Sequence, residues 1–139
     1  MSNIRTMLAT LALGAAVAFA APAFADKMKV TLDGKGAAVA SAGKGTADLD
    51  FDPASKKLSW KLTYSGLSGP ATAAHFHGPA APGANAGVAV PIPNAGSSPV
   101  EGSASLTDAQ AAELMAGKNY LNVHTAATPA GEIRGQATK

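Results

Sequence analysis

From Asp26 onward the chain alternates apolar and polar residues, the period expected of strands with one buried face. Met28, Val30 and Leu32 alternate with Lys27, Lys29, Thr31 and Asp33 and predict a first strand. The span 37–52 contains a second, with Ala47, Leu49 and Phe51 on one face and Asp48, Asp50 and Asp52 on the other. A turn at Pro53-Ala54-Ser55-Lys56 leads to the clearest strand, where Leu58, Trp60, Leu62 and Tyr64 share a face. Residues 71–77 form another short strand. Residues 78–99 are rich in Gly, Pro, Ala and Asn and read as a long loop. Inside that loop 88–92 has strand character, but Pro91 and Pro93 confine it to a sheet edge. Strand patterns return at 100–106, 120–125 and 132–137, the last two joined by a turn at Thr128-Pro129-Ala130-Gly131.

One segment breaks the alternation. Thr107-Asp108-Ala109-Gln110 has the form of a capping box, and Asp108 complements the positive end of a helix dipole. Ala111, Leu114 and Met115 then give an inward face, and Gly117 stops the helix. Many short strands with one short helix near residues 107–116 predict an all-β fold, a Greek-key β-sandwich or barrel.

The amino terminus follows another rule. Arg5 supplies one positive charge, and residues 6–25 carry none. The apolar run 7–20 has the length of a signal h-region, and Ala23-Phe24-Ala25 fits the small-x-small cleavage pattern. Residues 1–25 are therefore expected to be a signal peptide cut between Ala25 and Asp26, leaving residues 26–139 as one domain. Alanine dominates the run, Pro22 interrupts it and no basic stop-transfer cluster follows, so no stable membrane anchor is expected after cleavage. The destination is periplasmic or secreted.

Composition narrows the chemistry. The chain has 11 Lys and Arg against 9 Asp and Glu, with Arg5 in the leader, so the mature domain is nearly neutral. Its basic residues are scattered and no aromatic platform accompanies them, which argues against nucleic acid as a partner. The absence of cysteine excludes disulfides, thiolate metal sites and a lipid anchor on cysteine.

The 3 histidines are the distinctive residues. His75 and His77, two apart on a strand, point to the same face, while Phe76 points into the core. In 120–125, Leu121 and Val123 share one face, and Tyr120, Asn122 and His124 share the other. Two ligands from one strand and one from a distant strand can build a three-imidazole site suited to copper, with zinc second. Asn122 is a candidate partner for an imidazole. Arg134 is a candidate neighbour that attracts an anion, although Arg134 and Glu132, alternating on one face, are more simply expected to pair with each other or with neighbouring strands. Met28 and Met115 are conceivable soft ligands, with Met115 better placed for the core. Alternatively, the imidazoles are structural and hold loop carbonyls.

Four segments carry a family resemblance: His75-Phe76-His77-Gly78-Pro79-Ala80, then Leu106-Thr107 with the short helix, then Gly117-Lys118-Asn119-Tyr120-Leu121-Asn122-Val123-His124-Thr125, then Pro129-Ala130-Gly131-Glu132-Ile133-Arg134-Gly135-Gln136. In this order they resemble the CHRD domain, a family named after repeats in chordin and common in exported bacterial proteins. The resemblance spans the mature chain and implies an extracytoplasmic β-sandwich, with little implied about activity. A looser resemblance, limited to a His-x-His plus a later strand histidine, is to copper-zinc superoxide dismutases. The bridging histidine and the zinc ligands of those enzymes have no counterpart here.

Three functions follow. The first is an exported metal-binding protein in copper handling or redox protection. The second is a non-catalytic interaction module that uses the 78–99 loop. The third, ranked last, is a copper-only superoxide dismutase-like enzyme. No nucleophile triad, phosphate loop or paired-carboxylate motif is present.

Overall fold

The computed structural model describes residues 25–139. The expected signal segment therefore lies outside the described residues, apart from Ala25. The elements are β1 (Asp26–Asp33), β2 (Lys44–Asp52), β3 (Lys57–Ser65), β4 (Ala71–His77), β5 (Val88–Ile92), β6 (Val100–Ser105), α1 (Asp108–Met115), β7 (Asn119–Thr125) and β8 (Ile133–Ala137). The second strand is shorter than its span allowed, because residues 34–43 form turns and extended loop before Lys44.

All eight strands join one antiparallel sheet in the order β5-β4-β7-β8-β1-β2-β3-β6. The expected choice between sandwich and barrel is settled by a single sheet that curls on itself. Trp60 of β3 and Phe76 of β4, strands far apart in that order, have ring centroids only 5.5 Å apart. The two edges, β5 and β6, are joined directly by residues 93–99, so the sheet is nearly closed. Pro91 sits on the edge strand β5, as a residue without a backbone donor requires.

The interior follows from the alternation. Val30 faces Ala47, which faces Leu62, and Met28 faces Leu49, which faces Trp60, so rows of apolar side chains cross three strands. All six are buried, as are Phe51, Phe76, Leu121, Val123 and Ile133. Each large aliphatic or aromatic side chain removed from water contributes about 1.5–3 kcal/mol. Gly102 lies opposite Trp60, and a Cβ there would meet the indole at 2.8 Å, so the glycine makes room for the ring. Met28 belongs to this core and Met115 packs against it, which removes both as metal ligands.

Helix α1 caps one end. Thr107 Oγ1 accepts from the Gln110 backbone N–H at 3.2 Å, and the Gln110 side chain accepts from the Thr107 N–H at 3.0 Å, completing the capping box. Ala111 and Leu114 are buried, and Gly117 follows at a φ of 72°. No helix among the described residues is long and apolar enough to cross a membrane.

Candidate metal centre

The three histidines meet on the outer face of the β4–β7 pair. In the ladder Ala73 lies opposite His124, His75 opposite Asn122 and His77 opposite Tyr120. Directly opposed residues share a face, so His75 sits diagonally next to His124, and His77 lies one step further along β4. Phe76 turns inward and is 1% exposed. The outer face is not open to water here, because loops fold back over it. Every residue of β7 is buried, His124 being 9% exposed, and His77 at the end of β4 is 8% exposed. His75 is half-buried and marks the open side of the cluster.

Hydrogen bonds fix which nitrogens are available. His124 Nδ1 lies 2.8 Å from the Pro129 carbonyl oxygen, and His77 Nδ1 lies 3.0 Å from the Ala86 carbonyl oxygen. A carbonyl oxygen only accepts, so each Nδ1 carries the proton and each Nε2 is a bare lone pair in the neutral ring. His75 Nδ1 lies 3.0 Å from His124 Nε2. His77 Nε2 is buried and has no hydrogen-bond partner among the described residues. An unpaired buried nitrogen costs free energy that nothing in the surrounding protein returns. One donor atom from each ring falls within 4.8 Å of the others. Two nitrogens at zinc-like distances from a common ion are no more than about 4.2 Å apart, so side-chain closure on the order of 1 Å completes the site. Burial, then the neighbouring His124 and His77, push the His75 pKa below the ordinary imidazole value and favour the neutral, ligand-competent ring.

The surroundings hold the imidazoles in place. Tyr120 stacks on His77 with centroids 4.9 Å apart and planes 3° from parallel. Its hydroxyl donates to Ala86 O at 3.1 Å and accepts from Ala86 N–H at 3.0 Å, bracing the carbonyl that orients His77. Asn122 makes no bond to an imidazole. It donates from Nδ2 to Ala130 O at 3.3 Å, next to the Pro129 carbonyl that orients His124, so it acts on the ligand through the turn. Arg134 makes no hydrogen bond to a histidine. Its guanidinium lies 3.4 Å from the Tyr120 ring centroid and donates to Asn85 Oδ1 and Ala84 O. The expected pairing of Arg134 with Glu132 is not formed, since both Glu132 carboxylate oxygens accept from Ser68 N–H at 3.1 Å. Tyr120, Ala86 and Pro129 escaped the sequence reading. Tyr120 had a signal, because it shares a face with His124; the two carbonyls are backbone groups and had none.

A nearly closed antiparallel barrel with a three-histidine cluster beneath its loops is thus the class of protein defined by fold and site. The CHRD domain profile matches residues 28–137, and the chain belongs to that family. No curated protein and no solved structure matches the chain. Three histidines on adjacent strands can hold a metal ion.

Proposed function

We propose that this CHRD-domain protein is exported and binds copper, with zinc the weaker competitor, through His75, His77 and His124, and that it serves in metal handling or redox protection outside the cytoplasm. The observation that carries the metal reading is the pair of bare Nε2 lone pairs. Carbonyl acceptors behind His77 and His124 leave both Nε2 atoms unprotonated; that of His124 lies 3.0 Å from His75 Nδ1, and that of His77 has no partner among the described residues. Copper is favoured over zinc because imidazole sites follow the order that places Cu(II) above Zn(II). Three protein ligands leave a coordination position for water or a small molecule, as in reactive rather than structural sites. Export is supported by the composition of residues 1–25.

The second reading, a non-catalytic interaction module with structural histidines, draws on the 3.0 Å approach of His75 to His124, a satisfactory hydrogen bond without any ion. Adding Cu(II) to metal-free protein and recording its paramagnetic resonance distinguishes the two. One equivalent bound tightly, with hyperfine coupling to several nitrogens, supports the copper centre. Loose, substoichiometric binding that is unchanged in a His75→Ala/His124→Ala variant overturns it.

A further inference from the structure

Beside the histidine cluster lies a separate cleft of about 350 Å³, walled by Arg134, Asn122, Tyr120, Val39 and the turn at 127–131. We propose that this cleft binds a small organic carboxylate that also carries an N–H donor.

The cation comes first. Arg134 is 8% exposed, and no carboxylate lies within ion-pair distance of it among the described residues. Two acidic residues are close in the chain or the ladder, and both are engaged elsewhere. Glu132 accepts from Ser68 N–H. Asp33, opposite Arg134 in the ladder, accepts from Gly36 N–H at 2.6 Å. A buried charge is usually paired, because its desolvation is costly. The guanidinium uses one N–H on each terminal nitrogen for Asn85 and Ala84. Three of its five N–H groups, Nε–H among them, have no hydrogen-bond partner among the described residues and can donate to a carboxylate.

The donor requirement comes from Asn122. Asn122 lines the same cleft, and its Nδ2 is committed to Ala130 O. Its Oδ1 is buried behind the wall with no hydrogen-bond partner among the described residues, so a ligand reaches it through a small shift of the 127–131 turn. That oxygen can only accept, so a ligand satisfying it brings an N–H. Val39, Ala127 and Ala130 supply apolar walls, and the volume lies within the range of small-molecule sites.

The test uses metal-free protein, so its outcome is independent of the histidine centre. N-acetylglycine, which carries both groups, is titrated while amide chemical shifts are followed. Acetate, N-acetylglycinamide and inorganic phosphate are run alongside. Saturable one-to-one binding of N-acetylglycine is expected, with shifts centred on residues 127–134. Losing the charge in N-acetylglycinamide or in Arg134→Gln should weaken it about tenfold or more, and acetate should bind more weakly for lack of the donor. Ala127→Trp, on an exposed turn position, should block the cleft without touching the core, and it decides the matter if Arg134→Gln does not fold. Non-saturable shifts, phosphate binding as tightly as N-acetylglycine, or full affinity in a folded Ala127→Trp or Arg134→Gln variant overturns the proposal.

Discussion

The Pro129 carbonyl oxygen stands 2.8 Å behind Nδ1 of His124 and fixes the direction in which that imidazole presents its lone pair. The tautomer of His124 is therefore set by a turn five residues further along the chain. Ala86 does the same for His77 from the opposite loop.

Removing His77 should separate the copper centre from a structural cluster most cleanly. Its Nε2 makes no contact that the metal-free protein needs, while its ring stacks on Tyr120. His77→Phe keeps the stack and deletes the ligand. Copper affinity should fall by about 100-fold or more, while the metal-free form loses only the Nδ1 bond to Ala86 O, about 0.5–1.5 kcal/mol. Unchanged copper binding by calorimetry would sink the assignment.

The turn itself is testable at Gly131. Its φ of 121° is a glycine conformation, and a Cβ there would meet Asn122 Nδ2 at 2.7 Å. Gly131→Ala should cost roughly 1–3 kcal/mol of stability. It should also weaken metal binding, because the displaced turn carries the Pro129 carbonyl. Chemical denaturation with and without Cu(II) reads both effects, and a neutral substitution contradicts the placement.

Acidification should destabilise the metal-free protein through His75. Burial and the other two histidines put its folded pKa below the ordinary 6.5. The unfolded chain therefore takes up the proton first as pH falls. Stability from this group is unaffected above about pH 6.5 and is lost as pH drops from there toward the folded value. Melting temperatures between about pH 7.5 and about pH 5 should fall with acidity, and His75→Gln should flatten part of that slope. A slope identical in the variant would contradict the assignment.

Helix α1 offers a control whose residues make no hydrogen bond to the histidines. Thr107→Ala removes the capping-box acceptor and should cost about 1 kcal/mol. Copper affinity should stay as in the wild type. A large loss of copper binding would show that the site depends on global stability and not on its own turns.

Export predicts a mature chain that begins at Asp26. Intact-mass measurement of protein recovered from outside the cytoplasm should show loss of residues 1–25, and recovery of the full-length chain there would refute it.

The strands were legible because each buries one face, so Met28, Val30 and Leu32, or Leu58, Trp60 and Leu62, announce themselves by alternation. The same parity put His75, His77 and His124 on outer faces. It did not show that β4 and β7 are neighbours, nor that His124 falls opposite Ala73, since pairing and bulges depend on the whole barrel. It gave no sign that the outer face is covered, because coverage by residues 78–87 and 126–132 is a property of loops that carry no periodic signal. Glu132 shows the limit of parity. It lies before β8 begins at Ile133, so its side chain is not bound to the face of Arg134 and turns to Ser68 instead.

Strand β4 carries alternating cargo, with Phe76 for the interior between two imidazoles for the exterior. If it paired with β7 one residue out of step, the aromatic ring would be expelled and both histidines driven into the core. Only the correct alignment can therefore gather the three nitrogens, and a bound ion would act as a proofreader of assembly, rewarding chains that have zipped this strand in its proper place.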